Sequence, residues 1–212
     1  MSIVKKNFLV ELKTEKIFTK SEFIFCQGEK PEAFFYLVDG LVQSYYITAG
    51  GSKRNIMTTW PGEFFGTSSF FDGFKRQSSA VALKDSRVLV INEQDYIRCS
   101  ENRDFLDTLL RALSTDVRSL FDQLADSSLL NADIRVARFI CYRINRGQHT
   151  MRDGKVILEY SQDFIANVLG LSRWAVNQAL VELKNNGWIS TQYGSVVILD
   201  VEAVRRFAFD EV

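Results

Sequence analysis

The chain contains a single histidine, His149, among 212 residues, and its three cysteines, Cys26, Cys99 and Cys141, are scattered. A barrel-type metalloenzyme gathers several imidazoles around an open site, and this composition does not supply them. The cysteines are odd in number and lack metal-ligand spacing, so they read as free or buried thiols in a reducing compartment. Excess charge is also missing, because 26 basic residues balance 26 acidic ones. A general basic coat is therefore excluded, and any nucleic-acid binding must come from a local patch. No stretch is apolar for the length a bilayer demands, and no long apolar core follows the lysines at the start. The expectation is a soluble, cytoplasmic protein with no membrane partner. With no cluster of acid, base or metal-ligand side chains, an enzyme is not expected.

What is present changes texture along the chain. From about Phe18 to Ile97 short strands alternate with turns. Phe34–Val38 is predicted to end at Asp39-Gly40, Leu41–Ile47 at the hairpin signal Ala49-Gly50-Gly51-Ser52, and Ile56–Trp60 at Pro61-Gly62. Ser79–Leu83 and Arg87–Ile91 read as two more strands. This spacing argues for a closed or nearly closed β-structure, not βαβ units. From residue 105 to about 127 there is no glycine or proline, and Leu106, Leu110, Leu113, Val117, Leu120 and Leu124 recur in steps of four and three. That is a coiled-coil seam, with Phe105, Leu109 and Phe121 on a neighbouring stripe. Two readings stand: a long helix packed wholly within one chain, or a helix lying on its own barrel while the seam meets a second copy. The uninterrupted seam favours the homodimer. Asn131 is placed to cap a further helix whose apolar face is Ile134, Ala137, Ile140, Cys141 and Ile144, and an Asp153-Gly154 hairpin follows.

Residues 161–184 carry the sharpest signal. Ser161 caps a short helix with an inner face of Phe164, Ile165, Val168 and Leu169, and Gly170 turns the chain. Leu171 plugs the gap, Ser172 caps a second helix, and Val176, Leu180 and Leu183 face inward. Arg173, Trp174, Asn177 and Gln178 then project from its first turns, the geometry in which a recognition helix meets major-groove base edges. A helix pair with a glycine turn also occurs as plain scaffold. Arginine beside amides, behind a dimer helix, favours DNA. Asn185-Asn186-Gly187 ends the helix, and the segment from Trp188 to Ile198 reads as a wing hairpin.

These residues resemble the catabolite activator/fumarate-nitrate regulator (Crp/Fnr) family of bacterial transcription factors from about Phe18 to Ile198. Gln27-Gly-Glu-Lys-Pro-Glu-Ala-Phe-Phe-Tyr-Leu-Val-Asp-Gly40 is similar to the family's opening barrel strands, Pro61-Gly-Glu-Phe-Phe-Gly66 to the segment before its effector-binding turn, and Leu171–Leu183 to its recognition helix. The resemblance implies an α+β fold: a cyclic-nucleotide-binding-type β-roll or jelly-roll barrel at 1–100, a dimerisation helix at 101–128 and a winged helix-turn-helix at 129–212. Departures from the family pattern carry information too. Thr67 stands where cyclic-AMP-binding members have a ribose-binding glutamate, and Gln77 where they have the phosphate-binding arginine. Arg76 is adjacent, and strand alternation points it away. Cyclic AMP is therefore not the expected effector. The family's oxygen-sensing branch holds an iron–sulfur cluster on several cysteines, mostly near the N-terminus; no cysteine precedes Cys26, so that cofactor is not expected, and heme would lack a histidine ligand in the sensor.

An unidentified small effector is expected at Gly66, Thr67, Ser68, Ser69, Gln77 and Ser78. The alternative is a degenerate, constitutive sensor. DNA contacts are expected from Ser161, Gln162, Ser172, Arg173, Trp174, Asn177, Gln178 and Lys184, on a near-palindromic double-stranded operator. RNA polymerase would be a partner if the protein activates. Arg173 suits guanine, and Asn177 or Gln178 suits adenine. Trp174 has two readings, a thymine methyl or sugar edge, or packing between helices. A sensor module that binds no DNA is the rival; the Ser161–Lys184 helix pair argues against it.

Overall fold

A computed structural model describes residues 12, 14–51 and 53–209, without the side chains of 122 and 126–129. The N-terminal segment and the turn residue Ser52, both used above, lie outside the described residues. The chain divides into two compact units, 1–120 and 121–212.

The first unit is an antiparallel sheet organised by two long strands, β3 (Ala33–Ile47) and β6 (Ser79–Asn92). β1 (Glu15–Phe18) and β2 (Phe23–Phe25) pair with β6, while β4 (Lys53–Thr59) and β5 (Phe64–Phe65) pair with β3. Sequence reading broke each long strand in two, and this is corrected. Asp39-Gly40 is not a turn, because β3 runs through it with register shifts at Leu37/Asp39, Asp39/Leu41 and Leu41/Val42. A bulge absorbs the glycine without ending the strand.

The unbroken apolar start of β3 has a simple cause, because both faces of the sheet are covered. Phe35 and Leu37 join Phe25, Val42, Phe65 and Val88 in one core, while Phe34 and Tyr36 join Phe64, Leu89 and Ile91 in another. The second core is closed by helices that sequence reading had not placed, α1 (Thr67–Asp72) and α2 (Glu93–Ser100), and by α3 (Arg103–Leu129). Tyr96 of α2 meets Phe71 at 5.2 Å and Phe105 at 6.4 Å between ring centroids, so an aromatic cluster joins α1, α2 and the start of α3.

α3 sorts its apolar residues unequally. Phe105 and Leu109 are buried, and Leu106 and Leu113 pack partly on the same core. Leu110, Val117, Leu120 and Leu124 are exposed. Phe121, which sequence reading grouped with Phe105 and Leu109, is exposed instead, because 3.6 residues per turn carry a stripe around the helix over four turns.

Burial pushes the Asp116 carboxyl of α3 up from 3.8 to about 6. Between about pH 4 and 6 the folded protein therefore holds a proton that the unfolded chain has released. That contribution is complete below about pH 4 and disappears as pH rises through 6. Asp116→Asn is expected to raise stability at pH 7.5 by on the order of 1 kcal/mol, allowing for solvent at a half-buried group, and to change little at pH 4. Thermal melts at the two pH values check this.

The second unit packs α4 (Ala132–Asn145), α5 (Gln162–Leu169), α6 (Arg173–Asn185) and α7 (Val201–Phe209) with a four-stranded sheet. The sheet order is β7 (Thr150–Arg152), β8 (Lys155–Leu158), β10 (Ser195–Ile198) and β9 (Ile189–Gln192). The turn at Asp153-Gly154 has both residues at positive φ, 51° and 73°, as a tight hairpin requires. Two expectations for α4 are corrected. Asn131 occupies the N-cap but its side chain accepts no capping hydrogen bond. The helix also buries Val136 and Phe139 with Ala137, Ile140 and Cys141, leaving Ile134 and Ile144 half-buried. α6 and α7, which pack on α4, set that phase.

Candidate nucleic-acid interface and sensor turn

The α5–α6 pair is built by local chemistry. The Ser161 hydroxyl accepts from the Phe164 N–H at 3.1 Å, and the Ser172 hydroxyl from the Ala175 N–H at 3.1 Å. Each cap satisfies one of the donors a helix start leaves open. Between the helices Gly170 sits at φ 62°, ψ 32°, and its N–H donates to the Ala166 carbonyl. The Arg135 guanidinium, on α4, donates to the Leu169 carbonyl and ties down the end of α5. Val176, Ala179, Leu180 and Leu183 bury the inner face of α6 beside Ile165 and Ala166 of α5.

The opposite face is polar and open. Arg173, Trp174 and Gln178 are exposed and Asn177 is half-buried. Two links cross from α5: Gln162 Nε2 donates to Asn177 Oδ1 at 3.3 Å, and Arg173 Nε lies 3.4 Å from Asp163 Oδ1. Asp163 is a residue that sequence reasoning missed, since nothing in the one-dimensional pattern pairs it with Arg173. Lys184 is exposed in the last turn, about 16 Å along the helix from Arg173 at 1.5 Å per residue. It is thus separated from the cluster at the helix start. Ser161 and Ser172 are exposed, and the oxygen of each hydroxyl accepts a capping bond while its O–H stays available as a donor. Tyr193 stands fully exposed at the β9–β10 turn; an aromatic beside a turn glycine was the signal available for it. Arg143, buried in this unit, donates to Gln148 Oε1 at 2.7 Å, and burial lowers its guanidinium to about 10, so it stays cationic at neutral pH.

In the sensor unit, Gly66 precedes α1 with Thr67 and Ser69 buried, whereas Ser68 and Gln77 are exposed and Ser78 is half-buried. Arg76 is the main correction, since its guanidinium points inward. It donates to the Gly66 carbonyl at 2.6 Å and to the Ala33 carbonyl, and lies 4.3 Å over the Phe25 ring. Burial lowers its pKa from the ordinary arginine value. Strand alternation gave the wrong direction because Arg76 precedes β6 and lies in an irregular segment, where the Arg76 N–H donates to the Glu29 carbonyl and the Gly28 N–H to the Arg76 carbonyl.

A cyclic nucleotide would need a carboxylate for its ribose and a cation for its phosphate. Thr67 supplies no carboxylate and Gln77 no charge, so these two positions do not provide the contacts that ligand requires. Among the described residues no group of three or more His, Cys, Asp or Glu side chains could hold a metal ion, and no helix is long and apolar enough to cross a membrane.

Two family models match the chain, a cyclic nucleotide-binding domain over residues 15–103 and a Crp-like helix-turn-helix domain over 134–207. A CRP-like cAMP-activated global transcriptional regulator of Mycobacterium tuberculosis is 28% identical over 194 residues, covering 90% of this chain and 86% of that protein. A cyclic AMP receptor protein of Thermus thermophilus is 25% identical over 195 residues, covering 92% of this chain and 88% of that one. The crystal structure of a CRP/FNR-family transcriptional regulator from Thermus thermophilus superposes with a TM-score of 0.75 at 22% identity, covering 92% of this chain and 98% of that chain.

Proposed function

Because the chain belongs to the Crp/Fnr family of transcription regulators, we propose that it acts in the cytoplasm as a homodimer that binds a near-palindromic operator and regulates transcription from it. The division of labour is a sensor at 1–100, a dimerisation helix at 101–128 and a winged helix-turn-helix at 129–212. The observation that carries this is the outward face of α6. It is capped by Ser172, braced by α5, and presents Arg173, Asn177 and Gln178 away from the core. Two such helices, held by paired α3 seams, would enter successive major grooves about one helical turn apart. RNA polymerase is a partner where the bound protein activates.

Arg173→Ala tests the reading. If its guanidinium reads guanine, the variant loses about 1–3 kcal/mol of discrimination between operator and random duplex. Equal loss on both would make Arg173 a phosphate contact only.

The sensor is proposed to respond to a small effector other than cyclic AMP, through movement of the barrel on α3. Arg76 favours a second reading, in which the interior is occupied by the protein's own guanidinium and the regulator is constitutive. Thermal-shift titration separates the two, since a ligand-gated sensor gains stability with effector concentration and a self-occupied one does not.

A further inference from the structure

We propose that Trp174 is a further specificity-determining residue of the DNA-reading helix beside Arg173, its indole reading the methyl group of one thymine in each half-site. This rests on α6 entering the major groove, and it adds which base group the helix selects.

Trp174 is the second residue of α6 and 71% exposed. Two residues on, Val176 is fully buried, and at 100° per residue the two side chains leave the helix nearly opposite each other. Packing between helices, the competing role, would bury the indole, and it does not. Among the described residues no ring or cation stacks on it.

Its neighbours on the outward face are unequal in freedom. Arg173 is drawn toward Asp163 and Asn177 is held by Gln162. Trp174 and its i+4 neighbour Gln178 are exposed and, among the described residues, carry no such link to α5. A single exposed apolar side chain is ordinary on a protein surface. Here, however, it lies in the first turn of the helix whose start meets base edges. The major groove offers one apolar group, the C5 methyl of thymine, and otherwise hydrogen-bonding atoms. A large flat apolar surface among arginine and amide side chains therefore complements thymine and disfavours cytosine, which presents an amino group and no methyl.

Deoxyuridine provides the test, because it pairs as thymidine does and lacks only that methyl. The half-site is first obtained by selecting bound fragments from a random duplex pool with the full-length protein. Each thymine of the selected operator is then replaced by uracil, and binding is measured for wild type, Trp174→Phe and Trp174→Ala. Wild type should lose about four-fold at one thymine position per half-site, and about sixteen-fold when both half-sites are changed, the value of one buried methyl-sized group each. Trp174→Ala should bind thymine and uracil operators equally, with Trp174→Phe in between. A flat uracil profile in wild type, or an unchanged thymine preference in Trp174→Ala, overturns the assignment while DNA binding itself stands. A wild-type protein that binds no duplex overturns both this and the reading beneath it. Circular dichroism melts should be alike for all three, because the side chain is outside the core.

Discussion

Glutamate placed at both Leu110 and Val117 is expected to give a folded monomer with at least about 100-fold weaker operator binding. The two residues are one heptad apart on α3 and are 60% and 53% exposed in the protomer. Charging them therefore removes little that holds one chain together. In a dimer the same positions face their symmetry mates. Burying one such side chain contributes about 1.5–3 kcal/mol, and several per protomer are needed to exceed the rigid-body entropy of association. Four carboxylates in that seam reverse the balance, since each costs several kcal/mol to desolvate and meets like charge. A monomer presents one recognition helix and forfeits the second half-site, so what remains approaches sequence-independent binding, ordinarily about 10³-fold or more weaker. Sedimentation reports the oligomer, a melt reports the fold, and titration at fixed salt reports the operator. A double variant that stays dimeric and binds normally would return α3 to the other reading, a core helix of a single chain.

What could be read in the sequence was what is decided locally. Ser161, Gly170 and Ser172 fix the α5–α6 pair by cap and turn geometry within a few residues, and all three do so in the structure. The Asp153-Gly154 hairpin is local in the same sense. The failures concern partners distant in sequence. β3 runs through Asp39-Gly40 because β6, more than forty residues later, pairs along both sides of the bulge. The inward turn of Arg76 depends on the carbonyls of Ala33 and Gly66 and the ring of Phe25, none of them near it in the chain. The buried face of α4 is set by α6 and α7, which pack upon it. Of the candidate interface, the residue types and their shared helix were legible. The bracing by Gln162 and Asp163 was not, because it depends on how α5 crosses α6.

Gly40→Ala is expected to be the most damaging single-methyl change in the barrel, costing about 3 kcal/mol or more. Gly40 lies at φ 104°, and a Cβ built there would fall 2.6 Å from both the Asp85 carbonyl oxygen and Ser86 Cα, and closer still to Ser86 Oγ. None of these can give way cheaply. Two are backbone, and Ser86 is fully buried with its hydroxyl donating to the Lys84 carbonyl at 2.7 Å and accepting from Leu41 N at 3.1 Å. The substitution thus forces β3 and β6 apart at the bulge where both cores depend on their register. Gly170→Ala is the control, because that glycine also has positive φ, 62°, but a Cβ there meets nothing within 4 Å. It should cost only the left-handed backbone term of about 1–2 kcal/mol. At roughly 2–4 °C per kcal/mol for a chain of this size, the melting temperatures of the two variants should differ by several degrees, with Gly40→Ala the lower. Equal shifts would mean that the bulge relaxes around a side chain, and that the close approach of β3 to Ser86 is not what holds the two strands in register.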